Sequence, residues 1–384
     1  MSLRKVNLYR NLSLLLLLVL LVGCGATWQS ELSRPDGSTL LVNKDTLQDL
    51  EAYAEEDSNP PAIPLERLLV VAGHRAVQRV TVVDEQSTIH TYAWASVADR
   101  AMWTEDRKLS IGGNTLGVSR IEVEPPARLA QVQADIVDIA PTVAAALGIA
   151  APAQATGHPL TTSSAEHVLL LFLDGFGYVR YEEAVEQGLI PHLSALGEPL
   201  LGLTTYPPIT CVSTASLLTG APPSVHGTDR RGIRKTEVNT IFDRAAAAGL
   251  RVVAIEGESL AFNLRSAEME LSGDRDGNGL TDDNVLGNAL AVLEQGMPDL
   301  FFVHFHGIDD AGHTYGPGTP EECARIQEED AAVGQIIAAL PANTLVIVFA
   351  DHGMHSVQEP GRLGNHGHLI ERDIFIPIWV FLKQ

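Results

Sequence analysis

A chain of 384 residues, 45% of them apolar, is long enough to bury a large core and to form two or three domains. Its 48 acidic against 26 basic residues, a formal net charge of −22, exclude nucleic acid as a binding partner, because neutralising phosphates needs clustered Lys and Arg. Three cysteines are too few for a disulfide framework in a chain of this size.

Residues 1–24 read as a lipoprotein signal peptide. Arg4, Lys5 and Arg10 precede an apolar run from Leu12 to Val22, short of the ~20 residues that span a bilayer. The run ends in Leu21-Val22-Gly23-Cys24, which resembles a bacterial lipobox with Cys24 as the lipidated residue; an ordinary signal peptide with an incidental Cys is the alternative. The expectation is an extracytoplasmic protein held to a membrane by a lipid anchor.

Residues 25–60 are polar, include EAYAEEDSNPPAIP and suit a tether. Over 61–126, LERLLVVAG predicts a helix stopped by Gly73, while RVTVVD, TIHTYAW and SRIEVE predict strands, giving a small α/β domain. Its order of elements faintly resembles part of the molybdopterin-binding domain of sulfite-oxidase-like enzymes. No Cys stands there to ligate that cofactor, so a binding or structural role is expected.

From 127 to 384 the pattern alternates. HVLLLFLD, RVVAIEG, DLFFVHFHG, TLVIVFAD and IFIPIWVFL are near-continuous apolar runs, as in strands of a parallel sheet covered on both faces. EVNTIFDRAAAAGL, NVLGNALAVLEQG and PEECARIQEEDAAVGQIIAAL carry helical periodicity. An α/β/α sandwich follows, with functional groups expected on loops at the carboxyl ends of the strands. Asp174-Gly175, Asp309-Asp310-Ala311-Gly312-His313 and Asp351-His352-Gly353 fall at such ends, and Gly364-Asn365-His366-Gly367-His368 precedes the last strand.

Asp and His suit zinc where no thiolate is available, and hydrolytic sites often hold two ions ~4 Å apart, needing about six protein ligands. The strand ends supply Asp174, Asp309, His313, Asp351, His352, and His366 or His368. His304 and His306 read as packed or hydrogen-bonded near the site, with ligation the open alternative. In GDRDGNGLTDDN, Asp274, Asp276, Asn278 and Asp282 follow the first part of an EF-hand-like loop. Val285 stands where the hand wants Glu, so a Ca²⁺ site competes with an Asx-rich turn capping the next helix.

The motifs LFLDGFG, PPITCVSTASLLTGAPPSVHG, HFHGIDDAGHTYGPG, FADHGM and GNHGH together resemble the alkaline phosphatase superfamily, in its type I phosphodiesterase/nucleotide pyrophosphatase branch. The resemblance implies one ion on Asp174, Asp351 and His352 beside the nucleophile, and a second on Asp309, His313 and His366. Zinc is the expected metal, with manganese open because Asp and His suit both. It also bears on DIVDIAPTVAAALGIAAPAQATGHPL at 135–160. Similar segments in the superfamily commonly follow the last strand, which implies a circularly permuted domain with helix 138–148 beside strand 374–382.

Thr210 is the expected nucleophile on two grounds. Pro207-Pro208 breaks the preceding strand and STASLLTG reads as a helix, so Thr210 falls at a helix N-terminus, where free N–H groups and the helix dipole favour phosphate. The family also places its Thr or Ser nine residues before the Thr of the TG pair, here Thr219. Thr210 would then be a metal ligand as well as the attacking group, forming a covalent phospho-Thr that water releases. Many relatives carry Asn three residues on; here Ser213 stands there as a candidate contact to the transferring group. Cys211 lacks the C-x-P-x-R setting of sulfatases. The expected activity is hydrolysis of a small phosphate ester, a phosphodiester or nucleotide pyrophosphate. A phosphomonoesterase, a phosphonate hydrolase or a non-catalytic surface binding protein are the alternatives.

Overall fold

Alternation places the first strands where composition alone suggests a tether. In Ser30–Ser33 (β1), Ser30 and Leu32 are buried while Glu31 faces out, and the Ser30 hydroxyl donates to the Val118 carbonyl at 2.6 Å. Thr39–Val42 (β2) pairs with β1 antiparallel, so residues 30–42 form a strand hairpin where a tether is expected. Polar side chains on the solvent face of a short hairpin mask its buried side. The structure is a computed structural model describing residues 28–54, 62–104, 107–275 and 277–384; Cys24 and Asp276 lie outside these.

The chain divides into two units. The first takes the described residues up to His74 and Arg79–Val123. Its further elements are Ile63–Pro64 (β3), helix Leu65–Val71 (α1), Arg79–Asp84 (β4), Ile89–Ala93 (β5), Met102–Thr104 (β6), Lys108–Ile111 (β7) and Asn114–Glu124 (β8). The sheet runs β2-β1-β8-β7-β6-β3, with β4 pairing β8 and β5. Leu65, Leu68 and Leu69 of α1 are fully buried, and its buried Glu66 accepts a hydrogen bond from the Trp94 indole at 3.2 Å.

The second unit takes Arg75–Gln78 and Glu124–Gln384. Its strands are Ala134–Asp135 (β9), His167–Leu173 (β10), Leu200–Leu203 (β11), Val252–Glu256 (β12), Glu268–Leu271 (β13), Leu300–Phe305 (β14), Thr344–Phe349 (β15), His355–Glu359 (β16), Arg362–Asn365 (β17) and Phe375–Leu382 (β18). Its longer helices are Ile139–Ala146 (α2), Tyr178–Glu186 (α3), Thr210–Thr219 (α4), Ile241–Ala247 (α5), Asp282–Gln295 (α6), Gly307–Tyr315 (α7) and Pro320–Ala339 (α8). The main sheet runs β13-β12-β14-β10-β15-β18-β11-β9. Its pairs are parallel except for β18, which runs antiparallel to β15 and β11. This is the mostly parallel α/β architecture expected.

Strand β10 lies at its centre, and Val168 to Leu173 are all buried between β14 and β15. Burying each such apolar side chain contributes roughly 1.5–3 kcal/mol. The helices form two sets, α2, α4 and α5 packing on one another and α6 and α7 each packing on α8. Helix α2 therefore rests chiefly on α4 and α5. Strand β18 is enclosed by β15 and β11 within the sheet, and β9, just before α2, takes the edge beyond β11.

Among the described residues no helix is long and apolar enough to cross a membrane. Cys211 and Cys323 are free thiols, not paired with one another.

Candidate metal centre

Four strand ends converge. Asp174 follows β10, His304 and Phe305 close β14, Asp351 and His352 follow β15, and His366 follows β17. Gly175, at φ +75°, lets the chain turn beneath α7: a Cβ there would meet the Asp309 Cβ and Oδ1 at 3.1 Å.

The first cluster surrounds the start of α4. Thr210 Oγ1 lies 3.5 Å from Asp174 Oδ1 and 3.2 Å from His352 Nε2. His352 Nε2 is also 3.4 Å from Asp174 Oδ1 and 3.3 Å from Asp351 Oδ2. The second cluster joins Asp309, His313 and His366: His313 Nε2 is 3.2 Å from Asp309 Oδ2, and His366 Nε2 is 3.7 Å from Asp309 Oδ1. The spacing of Asp309 and His313 puts both on one face of α7. The rings of His352 and His366 stack with centroids 3.7 Å apart, so the clusters adjoin. His368 turns instead toward the His355 ring, which favours His366 as the ligand.

Each of these imidazoles is oriented from behind. His352 Nδ1–H donates to the Gly353 carbonyl at 3.0 Å, His366 Nδ1–H to Pro208 at 2.8 Å and His313 Nδ1–H to Gly364 at 2.8 Å. All three then present Nε2 to the carboxylates, the arrangement that fixes metal-binding tautomers. The guanidinium of Arg362 stands 2.9 Å from His313 Nε2 and competes for it.

Electrostatics agree with missing positive charge. Burial, and then the charges of Asp174 and Asp309, push the Asp351 carboxyl well above the usual carboxylate range. Burial lowers His352 to about 4 and His366 well below its ordinary value. Two buried carboxylate oxygens, Asp309 Oδ1 and Asp351 Oδ2, accept no hydrogen bond, one in each cluster. Buried acceptors left this way are costly, and divalent ions would satisfy both, so these residues fit the implied pair.

Three further groups were not singled out as ligands. Glu256, at the end of β12, bonds both His304 and His306. It sits in Glu256-Gly257 as Asp174 sits in Asp174-Gly175, a signal readable beforehand. Burial and Asp309 raise Asp310 to about 6. Asp373, fully buried, accepts from His355 Nδ1 at 2.8 Å and from the amides of Gly367 and His368 at 3.0 Å.

Other expected residues lie elsewhere. Ser213 is fully buried and its hydroxyl meets Thr204 Oγ1 at 3.1 Å, so its one short polar arm is spent inside the protein and not on a ligand. Asp274 is occupied by the amides of Gly277, Asn278 and Gly279, and the Asn278 side chain by Leu280 and Asp283. Asp282 accepts from the amides of His306 and Gly307 at 3.0 and 2.7 Å. Asp274 and Asn278 are thus turned onto their own loop, and Asp282 is directed to the start of α7.

Residues 168–375 match the family described as Type I phosphodiesterase / nucleotide pyrophosphatase, more than half of the chain. Among curated relatives, the catalytic subunit of human GPI ethanolamine phosphate transferase 3 is 27% identical over 100 residues, covering 26% of this chain and 9% of that protein. An uncharacterized pyrophosphatase/phosphodiesterase of Schizosaccharomyces pombe is 25% identical over 220 residues, covering 49% of this chain and 44% of that protein. The chain therefore spans from about a tenth to less than half of these relatives' lengths. Among solved structures, phosphonoacetate hydrolase from Sinorhizobium meliloti 1021 in complex with phosphonoformate aligns with TM-score 0.40 and 20% identity, over 51% of this chain and 58% of that one. With the strand-end Asp and His residues in place, the chain belongs to the type I phosphodiesterase/nucleotide pyrophosphatase family.

Proposed function

We propose that the protein hydrolyses phosphodiesters or nucleotide pyrophosphates through a covalent phospho-Thr on Thr210. The observation that carries this is the position of the Thr210 hydroxyl, at the first residue of α4 and within 3.5 Å of both Asp174 and His352. Asp174, Asp351 and His352 would hold one divalent ion and Asp309, His313 and His366 the other, zinc by ligand type with manganese the alternative. Such ions lower the pKa of a coordinated hydroxyl and neutralise phosphoryl oxygens.

The chain's own groups do the rest. Thr210 Oγ1 loses its proton as its bond to phosphorus forms, and the leaving alcohol or phosphate departs from the opposite side. The amides of Thr210 and Cys211 at the start of α4 would donate to the equatorial phosphoryl oxygens. Water then attacks phosphorus in line, and the Thr210 oxygen is released and reprotonated.

The test compares wild type, Thr210→Ala and Thr210→Ser on bis-p-nitrophenyl phosphate and p-nitrophenyl phosphate with Zn²⁺ or Mn²⁺. Thr210→Ala should fall by roughly 1000-fold or more in kcat, whereas Thr210→Ser should keep measurable turnover and trap label from ³²P substrate. Full activity in Thr210→Ala would refute the mechanism. A better rate on the monoester would move the assignment to a phosphomonoesterase, and metal-loaded protein inert on every ester would point to a binding role.

A further inference from the structure

One short loop runs against the charge of the whole chain. In a protein of net charge −22, Arg230, Arg231, Arg234 and Lys235 stand within six positions that hold no acid. The loop is closed at its neck, where the Thr236 hydroxyl donates to the His226 carbonyl at 2.6 Å and the Thr228 hydroxyl to the Lys235 carbonyl at 3.1 Å. Its far side is tied as well: the Asn263 amide donates to the Arg234 carbonyl at 2.8 Å, and Arg234 Nη1 to the Leu260 carbonyl at 3.0 Å. Gly232, at φ +95°, turns the chain between the two pairs of cations. A loop fastened at so many points presents its charges with little ordering left to do on binding.

The same loop is bound to both ends of the helix that begins with Thr210. His226 Nδ1 accepts from the Thr228 amide at 3.1 Å, which leaves Nε2–H to donate to the Ser216 hydroxyl of α4 at 2.9 Å. Burial holds this ring neutral, at about 4. At the start of α4 the Cys211 thiol donates to the Arg230 carbonyl at 3.8 Å, and Cys211 follows Thr210 directly. Arg230 lies 3.7 Å from Asp229, whereas Arg231 is exposed and meets no hydrogen-bond or ion-pair partner among the described residues. Its charge is nevertheless felt within the site: burial lowers His352, and Arg231 acts in the same direction. The transferring phosphoryl has its counter-charge already, since two divalent ions and the first amides of α4 would face a single phosphodiester charge. An exposed guanidinium at the rim is left for a charge farther out, and its planar fork suits phosphate and carboxylate oxygens.

We propose that Arg231 is a specificity-determining residue that grips a second anionic group of the substrate, a phosphate or carboxylate lying beyond the scissile phosphorus. Arg234 and Lys235 add to the field around it. This rests on the reading of Thr210 as the nucleophile and narrows it: compounds with a neutral group on both sides of phosphorus are the poorer substrates. Cations beside the site also draw anionic substrates toward an otherwise acidic protein.

The experiment compares zinc-loaded wild type, Arg231→Ala and Arg231→Lys on three substrates. Bis-p-nitrophenyl phosphate carries no charge beyond the scissile group, p-nitrophenyl 4-carboxyphenyl phosphate adds a carboxylate, and ADP adds a phosphate. Wild type should favour at least one charged substrate in kcat/KM, and which one it favours identifies the anion. Arg231→Ala should cut that preference roughly 10–100-fold, and Arg231→Lys should restore part of it. Equal losses on all three substrates would place Arg231 on the transferring phosphoryl and overturn the second-anion site. No loss on any of them, or no preference in wild type, would overturn it as well. If wild type turns over none of the three, the hydrolytic reading fails by itself, and equilibrium dialysis of the two charged compounds still decides the site. Binding of at least one should then be roughly 10–100-fold weaker in Arg231→Ala, and equal binding of both overturns the proposal.

Discussion

His352 and His366 are held neutral by burial, one at about 4 and the other well below its ordinary value, so both keep Nε2 bare at neutral pH. His313 differs: burial lowers it, but the bond to Asp309 outweighs that and lifts it above 6.5. Asp351 is likewise raised. A ligand must be deprotonated to bind, so a raised value means that the incoming ion displaces a proton. The sign follows: affinity is full above the raised His313 value and is lost as pH falls through it. Calorimetric zinc titrations of metal-stripped protein at pH 7, in buffers of different ionisation heat, should report release of about one or two protons per chain. Zero release would contradict this assignment of protonation states.

At the scale of elements, the loop between β17 and β18 depends on Asp373. Its carboxylate ties His355 of β16 to the amides that follow His366, and its own carbonyl accepts from Gly353 beside His352. Asp373→Asn keeps the shape but offers one acceptor oxygen where two are used. Affinity for the second ion should weaken about 10–100-fold, as for other outer-shell substitutions, while the far-ultraviolet spectrum stays native. Competition titration against a chelating dye reads this directly, and unchanged affinity would remove Asp373 from the positioning set. The apolar runs made β10, β12, β14, β15 and β18 legible in sequence, and the polar residues after several of them pointed to the candidate ligands. Glu256 was hidden inside RVVAIEG because an apolar run draws the eye past the acid that closes it. β1 was hidden because SELS buries only alternate residues. Asp373 gives no sequence signal of its own; its role exists only once a distant hairpin has folded against it. Ser213 misled because an offset of three from Thr210 says nothing about whether that turn of α4 faces the site or Thr204.

For the whole molecule, charge and lipid make opposing statements. A net charge of −22 is repelled by anionic membrane surfaces, so nothing electrostatic would hold this protein to a bilayer. If Cys24 carries lipid, retention should rest on that acyl anchor alone. Membrane fractions should then keep the protein through a 1 M salt wash and lose it in Cys24→Ser, which should appear in the soluble fraction with unchanged specific activity. Release of wild type by salt, or membrane retention of Cys24→Ser, would overturn the anchor.

The orientation of the ligand rings has a further consequence for how such a molecule can change over generations. His313, His352 and His366 are set by main-chain carbonyls, and a carbonyl is present whatever side chain a position carries. Their tautomers are inherited from the path of the chain and tolerate drift in the sequence around them. His304 and His306 share a single side chain, Glu256, so one codon holds both. Lineages could therefore diversify the loops around His313, His352 and His366 while keeping those rings in place, whereas one substitution at Glu256 releases both His304 and His306.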